Sequence, residues 1–529
     1  MESAYKGAVC CLVVCFACLA SAQVAVTTFQ YDNYRSSTNT HEIALTLNNV
    51  NANQFGRKAV FPVQGYVYAQ PLYVPNVRIG GVLHSVVYVA TEHDQVYAFD
   101  VNSGQQLWQK NLLITIGPLS QVTPVPSTDA GCEDLVPEIG ITGTPVIDVS
   151  NNAMFVIAKT KTRNLLTQTT SYGQTLYELD IRTGNLRNPP RGIVGRYPGT
   201  GDGSQGGYLT FDPLVEGQRA ALLLANGQVY AAWASHCDRG PYHGWLMSFD
   251  ELSLYTTGVW VDTPNGRQGG YWGSGAGPAA DSEGSIYVGT GNGTYDSNSD
   301  YGDSILRLTH SGSTITLADY FTPWDQATLD YYDGDLGSGG VLLLPDQPGS
   351  QHPHLLLQAG KEGTIDLVDR DNMGHFNPDN DNQIVQTLPY AVGPMWSSPA
   401  FWNNSVYFGG SSDHLKAWGF NPQTQLLSTN HTSQSPEAFD FPGPTPAVSS
   451  NGTSNGIVWI IETDTYDGGG NAVLRAYKAT DLSTELYNSN QNGNRDSPGL
   501  AVKFVVPTIA DGRVFVGAQN QISMYGLLH

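Results

Sequence analysis

The sequence predicts an all-β protein, an eight-bladed β-propeller whose blades are four-stranded antiparallel sheets. Three observations lead to this prediction. A short block that opens a strand recurs through the chain, strand-forming runs bounded by turn residues follow the block, and only 14% of the 529 residues are charged. Few charges and many Gly, Thr, Ser and Tyr favour short strands joined by tight turns over long exposed helices.

The recurring block is a small or polar residue, usually followed by Pro, and then two or three apolar residues. The copies begin at Gln70-Pro71, Thr144-Pro145, Asp212-Pro213, Gly277-Pro278, Gly339-Gly340, Ser398-Pro399, Thr445-Pro446 and Val506-Pro507. Their spacing is irregular, between 47 and 74 residues, which indicates that loops of different length separate similar units. A repeat of this size predicts a single repetitive fold in place of several unrelated domains.

The first copy shows what each unit contains. Strand-forming runs follow the block at 86–91, 95–100 and 105–108, with turn residues between them, so each unit has four antiparallel strands. Such units in tandem indicate a propeller, because each sheet buries its faces only against its neighbours. The last unit lacks an outer strand, which residues 58–63 are expected to supply, closing the ring. A seven-bladed ring is the alternative.

The N-terminal segment and the net charge indicate where the protein is located and which partners are excluded. Residues 1–22 are typical of a secretory signal, with Lys6 before an apolar run and Ala20-Ser21-Ala22 before the cleavage point, which leaves 23–529 as one propeller domain. The apolar run is too short to span a membrane. We therefore expect a secreted, extracellular protein, or a periplasmic one in a bacterium. A net charge of −22 argues against nucleic acid as a partner.

Export also bears on cysteines and glycosylation. Four of the six cysteines leave with the signal, and the remaining pair, Cys132 and Cys237, is predicted to form a disulfide. Sequons that would make the chain a glycoprotein, if its cell glycosylates, begin at Asn292, Asn403, Asn430 and Asn451.

The run from Val86 to Trp108 resembles the repeat of pyrroloquinoline quinone (PQQ) proteins, and four later segments resemble the active site of the quinoprotein alcohol dehydrogenases. These segments are 269–274, 286–292, 334–344 and 359–370. The resemblance implies that Trp272 stacks under the quinone and that Asn292 is a Ca²⁺ ligand. It also implies that Asp335 is the catalytic base and that Lys361 is the cation beside the reactive carbonyl of the cofactor.

The chain departs from that family in three ways. It has no pair of adjacent cysteines in the mature part, and Cys132 is the nearest match. The family's Ca²⁺-ligating Glu has no counterpart, so Asp238 is the candidate substitute. No Cys-x-x-Cys-His motif is present, so the electron acceptor would be a separate molecule.

The chemistry of the residues supports the same interpretation. Oxidation of an alcohol requires a base for the hydroxyl proton and a cofactor that accepts the hydride. Asp335 can serve as the base, while Lys361 or Ca²⁺ can polarise the accepting carbonyl. Oxygens of Asn292, Asp335 and Asp238 could hold Ca²⁺ together with the carboxylates of the cofactor.

Each of these residues also has an ordinary structural interpretation. An Asp in a Gly-rich stretch is typical of a turn, Lys361 could lie in a solvated hairpin, Trp272 could fill a gap between blades, and Asn292 could be a glycosylated or turn residue. The function hypothesis is a PQQ-dependent dehydrogenase of an alcohol or sugar hydroxyl. The alternatives are a non-catalytic propeller that binds a glycan or a protein, and a hydrolase or lyase that uses the same carboxylates.

Overall fold

The structure, a computed structural model, describes residues 23–115 and 117–528, so the predicted signal at 1–22 lies outside the described residues. Eight of its sheets form the blades of a β-propeller, which confirms the predicted fold class. The first strands of neighbouring blades contact one another and so form the inner ring around the axis. Among the described residues, no helix has the length and hydropathy needed to cross a membrane.

The blades are numbered in chain order of their first strands. Blade 1 contains Leu72–Ile79, Val82–Thr91, Gln95–Asp100 and Gln106–Asn111. Blade 2 contains Val146–Asp148, Ala153–Asn164, Thr170–Asp180 and Arg191–Gly192, extended by Ser120–Pro126 and Glu138–Ile139. Blade 3 contains Leu223–Ala225, Gln228–Trp233, Trp245–Asp250 and Thr256–Val261. Blade 4 contains Ala279–Ala280, Ile286–Gly289, Ile305–Ser311 and Thr314–Thr322, extended by His375–Phe376.

The remaining blades follow the same plan. Blade 5 contains Leu342–Leu343, Leu355–Ala359, Ile365–Asp369 and Gln386–Leu388. Blade 6 contains Ala400–Trp402, Ser405–Gly409, Asp413–Asn421, Leu426–Leu427 and Ser433–Phe439. Blade 7 contains Ala447–Asn451, Ser454–Glu462, Val473–Lys478 and Glu485–Asn488, with Thr38–Asn39 at its inner edge. Blade 8 contains Thr508–Ala510, Arg513–Leu527 and Phe55–Tyr66.

Short elements connect the blades. A small hairpin is formed by Arg196–Pro198 and Tyr208–Thr210. The α-helices are Ser127–Ala130, Gln326–Tyr332 and Gly493–Asp496, and the 3₁₀ turns are Gly273–Gly275, Leu336–Ser338 and Ser489–Asn492.

Within a blade, the burial of a strand depends on its distance from the outer edge of the sheet. In blade 1 every residue of Gln95–Asp100 is buried, whereas the outer strand Gln106–Asn111 alternates between exposed and covered positions. The inner strands are covered on both faces by neighbouring blades, and the outer strands meet solvent on one side. This pattern explains why the inner runs are continuously apolar in sequence.

Blade 8 closes the ring with a strand from the other end of the chain. Phe55–Tyr66 pairs antiparallel with Arg513–Leu527, in a register that places Val60 opposite Ser523. The prediction that residues 58–63 complete the last unit is therefore confirmed. Segments from the two halves of the chain are thus paired in one sheet, so opening the ring here requires breaking this pairing.

One of the eight predicted block starts is wrong. Asp212-Pro213 does not open a strand, and the first strand of blade 3 is Leu223–Ala225. The Asp212 carboxylate accepts a hydrogen bond from the backbone N–H of Leu214 at 2.9 Å, which fixes a turn at this point. The blade count is unaffected, because the true block lies further along the same unit.

An N-terminal segment, residues 26–39, ties the whole ring together, and the sequence patterns do not reveal it. Its backbone or side-chain atoms hydrogen-bond the first strand of every blade. The partners are Tyr73, Ile147, Leu224, Ala280, Leu343, Phe401, Val448 and Ile509. Arg35 within this segment is fully buried. The segment therefore acts as a brace that joins the inner strands of all eight blades.

Candidate active site

A cavity lies at the centre of the ring, lined by segments that come just before the first strands of blades 2 to 8, together with residues 237–238 and Lys361. Four of the predicted site residues line it: Asp238, Trp272, Asp335 and Lys361. Sequence positions more than 120 residues apart, from 238 to 361, thus meet at one place because the blades are arranged in a circle. Of the four side chains expected around the axial cavity, Trp272, Asp335 and Lys361 line it and Asn292 does not.

Asp335 and Lys361 form a buried ion pair in the cavity wall. Lys361 Nζ lies 2.7 Å from Asp335 Oδ2, and the Asp335 residue is only 3% exposed. Burial raises the pKa of Asp335, although the charge of Lys361 opposes the shift. Burial disfavours the charged form of Lys361, but Asp335 and Asp333 outweigh it and raise the pKa of the amine. The lysine therefore stays charged, and the aspartate is a stronger base than an exposed carboxylate.

Asn292 lies directly beside this pair, although it does not line the cavity itself. Its backbone N–H donates to Asp335 Oδ1 at 2.7 Å, and its Nδ2 donates to Asp333 Oδ1 at 2.8 Å. Its Oδ1 is buried and has no hydrogen-bond partner among the described residues. Asn292 is 5% exposed, whereas the sequon residues Asn403, Asn430 and Asn451 are exposed. The buried position does not suit glycosylation of Asn292.

Trp272 and Asp335 both pack against Gly291, the glycine before Asn292. A Cβ atom at Gly291 would lie 2.4 Å from Asp335 Oδ1 and 2.6 Å from Trp272 Cδ1. Only glycine leaves room for the indole and the carboxylate at this point. The Trp272 ring is partly exposed toward the cavity, with Tyr242 against it edge-on at 6.2 Å. The glycine thus fixes the distance between the flat indole and the candidate base.

The predicted disulfide between Cys132 and Cys237 is present in the structure, and Cys237 lines the cavity. The bond joins the segment before blade 2 to the loop after the second strand of blade 3. The next residue, Asp238, accepts a hydrogen bond from the Tyr242 hydroxyl at 2.6 Å. A disulfide between distant cysteines therefore occupies the cavity wall, and residues 23–529 contain no pair of adjacent cysteines.

The cavity wall also contains two cations that the sequence patterns did not predict, Arg219 and Lys503. Arg219 lies flat over the Phe504 ring at 3.5 Å, and its Nη2 is buried without a partner. Lys503 is only 7% exposed and lies 5.1 Å from the Tyr466 ring centroid. Among the described residues, neither side chain forms a hydrogen bond or an ion pair. A lysine within the apolar run 500–506 was the available sequence signal for one of them.

Burial lowers the pKa of both cations. The pKa of Lys503 falls to about 8, because burial disfavours its charge and Arg219 repels it. The pKa of Arg219 falls to about 10, mainly through burial, so the guanidinium remains charged at neutral pH. Unpaired buried charge is costly, and an anionic group in the cavity would relieve that cost.

These features fit a planar cofactor that carries carboxylates. Trp272, Trp396, Phe441 and Phe504 provide flat apolar walls, and Arg219, Lys503 and Lys361 provide cations. The cavity measures about 150 Å³, below the ~300 Å³ lower end for sites of drug-sized ligands. The partly exposed rings of Trp396 and Phe441 stand in the cavity wall, where a planar cofactor would contact them.

Calcium fits less completely. The unpartnered Oδ1 of Asn292 beside Asp335 is a suitable hard donor. A metal ion could be held by three ligand atoms of His, Cys, Asp or Glu that lie within 4.8 Å of one another. Within residues 23–115 and 117–528, one set meets this condition: Cys132, Asp134 and Cys237. The two cysteines of this set are joined in a disulfide. The carboxylates of Asp238 and Asp335 thus lack a third such ligand close by. A Ca²⁺ ion here would need further oxygens besides these carboxylates.

Comparison with solved structures shows which known proteins have a similar fold. No family model matches the chain, and neither does any curated protein. The quinohemoprotein alcohol dehydrogenase from Comamonas testosteroni has a TM-score of 0.64 at 14% identity, covering 96% of this chain and 81% of that chain. A quinohemoprotein alcohol dehydrogenase from Pseudomonas putida HK5 gives 0.60 at 13%, covering 95% and 80%. A europium-containing methanol dehydrogenase gives 0.59 at 12%, covering 95% and 98%.

At these identities the similarity establishes the fold. The chain has the eight-bladed propeller of the quinoprotein alcohol dehydrogenases, and the resemblance predicted from sequence is confirmed at that level. Fold alone does not determine activity, so function must be argued from the axial cavity.

Proposed function

We propose that this protein is a secreted quinoprotein-type oxidoreductase that oxidises an alcohol or sugar hydroxyl in the axial cavity, with PQQ as cofactor. The observation that carries the proposal is the buried Asp335–Lys361 pair, which lies beside Trp272 in a cavity that also contains two unpaired cations. A purely structural ion pair does not require unpaired Arg219 and Lys503 in the same cavity.

Each residue of the site has a separate role in the proposed oxidation. Asp335 takes the hydroxyl proton at a carboxylate oxygen, and burial makes this carboxylate a stronger base. Lys361 holds Asp335 in place and presents an ammonium that stabilises negative charge developing nearby. When bound, PQQ supplies the acceptor for the hydride, which no side chain can provide. The surrounding aromatic rings exclude water from the reacting groups.

Trp272, Arg219 and Lys503 would hold the cofactor. The indole of Trp272 offers a flat face for stacking. Arg219 and Lys503 would pair with carboxylates of the cofactor, and Lys361 would lie at its reactive edge. Asn292 and Asp335, with Asp238 as a further candidate, would contribute to a Ca²⁺ site that is completed by cofactor oxygens.

Reconstitution tests this proposal directly. Purified protein mixed with PQQ and Ca²⁺ is expected to retain quinone absorbance after gel filtration and to reduce an artificial dye when an alcohol or sugar is added. Tryptophan fluorescence should change on binding, because Trp272 and Trp396 line the cavity. If neither absorbance nor dye reduction appears, the proposal is wrong and a binding propeller becomes the better interpretation.

Lys503 provides a test that does not depend on activity. Lys503→Met is expected to weaken PQQ binding about tenfold or more, because a charge-assisted hydrogen bond contributes about 1.5–3 kcal/mol. The same change at exposed Lys58, outside the cavity, should leave PQQ affinity unchanged. Both affinities are measured by fluorescence titration, and equal affinity of the two variants would contradict the role of Lys503.

The affinity should also depend on pH. Below its pKa of about 8, Lys503 is charged and attracts a carboxylate, and it loses that charge as the pH rises through this value. The neighbouring Arg219 and Asp134 keep their charges over this range. PQQ affinity of the wild type should therefore fall between pH 7 and pH 9, about one unit either side of that pKa, and this fall should be absent in Lys503→Met.

A further inference from the structure

A second cavity, of about 270 Å³, lies off the axis, between the helix Gln326–Tyr332 and blade 5. Its wall includes backbone of Gly334, Leu336 and Gly360, the residues that flank Asp335 and Lys361. Asp335 and Lys361 line the axial cavity and do not line this one. The oxidoreductase proposal makes no use of it.

The side chains of this second cavity have an unusual charge. Four carboxylates line it, those of Asp325, Glu362, Asp366 and Asp381. Its lining contains no Lys, Arg or His, and none of these four acids forms an ion pair in the part of the chain that the structure describes. Like charges held together without a counterion favour an added cation.

Asp366 carries this argument furthest, because it is almost completely buried. It is 2% exposed, and its Oδ1 accepts a hydrogen bond from Thr387 Oγ1 at 3.0 Å. Its Oδ2 has no hydrogen-bond donor among the described residues. Burial, with the nearby charges of Asp381, Glu362 and Asp325, raises the pKa of Asp366 to about 8. The ionised form of such a buried carboxylate is unfavourable without a nearby cation, so a cation that reaches Asp366 would favour loss of its proton.

Two aromatic side chains stand at the mouth of the cavity. Trp324 is 51% exposed and Tyr390 is 72% exposed, and both line the cavity. Exposed aromatic rings next to carboxylates are typical of sites that recognise ammonium groups, because the ring face attracts a cation.

The spacing of the acids argues against a single metal ion. No three of these four carboxylates place oxygens within 4.8 Å of one another, since the one such set in the described residues contains Cys132, Asp134 and Cys237. A divalent ion draws its ligands to about 2.3–2.6 Å and requires them to converge. An organic cation can span separated carboxylates while its apolar part rests on aromatic rings.

We propose that this acidic cavity binds an organic ammonium group, which contacts Asp366 and its neighbouring acids while its carbon skeleton packs on Trp324 and Tyr390. A small amine and the lysine side chain of a peptide both carry such a group and offer the same chemistry. This site is separate from the axial cavity and does not rest on the oxidoreductase proposal.

Calorimetry with benzylamine tests the proposal on the full-length mature chain. Benzylamine is expected to bind at one site, and benzyl alcohol, which has the same ring without the charge, is not. Asp366→Asn and Trp324→Ala should each weaken benzylamine binding at least about tenfold. Asp379→Asn removes an exposed acid that does not line the cavity, and should leave binding unchanged.

Two further measurements sharpen the test. The pKa values of Asp325 and Asp366 are raised to about 6 and about 8, so benzylamine affinity should increase over this pH range as the acids lose protons. A short peptide with one lysine, compared with its N-acetyl-lysine form, distinguishes a protein source from a free amine. Three results would overturn the proposal. Benzyl alcohol could bind as well as benzylamine, or no probe could give heat. Alternatively, Ca²⁺ could bind in a way that Asp366→Asn abolishes, while benzylamine gives no heat.

Discussion

Replacing Asp335 with Asn is expected to lower kcat of the reconstituted protein by about 10²–10⁴-fold, the contribution typical of a positioned general base. The amide keeps the size of the carboxylate and can still accept from the Asn292 backbone N–H, but it cannot take the hydroxyl proton. Wild-type activity should also fall as the pH drops through the pKa of Asp335, which burial raises. Dye reduction measures the rate, while quinone absorbance and far-UV circular dichroism verify that cofactor and fold remain.

Asp333→Asn is the matched control for this change. Asp333 contacts the same Lys361 at 2.7 Å, but its side chain is 67% exposed and does not line the cavity. An exposed ion pair contributes at most ~1 kcal/mol, so this variant should retain activity within about tenfold of wild type. If Asp335→Asn is no slower than Asp333→Asn, then Asp335 is not the base.

The propeller could be predicted because its signal is repeated. Each block opens an inner strand that is buried on both faces, and the same short apolar run therefore recurs in every blade. The prediction is wrong at Asp212-Pro213, where the Asp212 side chain bends a similar run into a turn. A single unit can mislead, whereas the set of eight still gave the right architecture.

The cavity was predictable only where a motif marked it. Trp272, Asn292, Asp335 and Lys361 lie in Gly-rich segments, and Gly291 shows why: no Cβ fits between the indole and the carboxylate. Arg219 and Lys503 lie in different blades and carry no such mark. Their role is visible only in three dimensions: both side chains are buried in the cavity wall, and neither forms a hydrogen bond or an ion pair within the described chain, although Asp134 lines the same cavity.

The N-terminal brace could not be predicted from the sequence either, for a related reason. Residues 26–39 have no strand period, because the segment crosses all eight blades and its hydrogen bonds do not repeat along the chain. Several side chains of the segment are buried, and Arg35 makes the largest set of hydrogen bonds among them. Arg35 Nη1 donates to Thr28 Oγ1 at 2.8 Å and to the Phe29 carbonyl at 2.9 Å, while Nη2 donates to the Pro278 carbonyl at 2.7 Å and the Leu222 carbonyl at 3.4 Å.

Arg35→Met is expected to lower the free energy of unfolding by about 3–5 kcal/mol, because it leaves several buried carbonyl groups without donors. Burial lowers the pKa of Arg35 to about 10, so the lost bonds are those of a charged guanidinium at neutral pH. Arg182→Met is the control, since the Arg182 side chain is 45% exposed and pairs only with Asp180 at the surface; it should cost less than ~1 kcal/mol. Urea unfolding at equal m-values measures both, and similar midpoints for the two variants would show that the brace does not stabilise the ring.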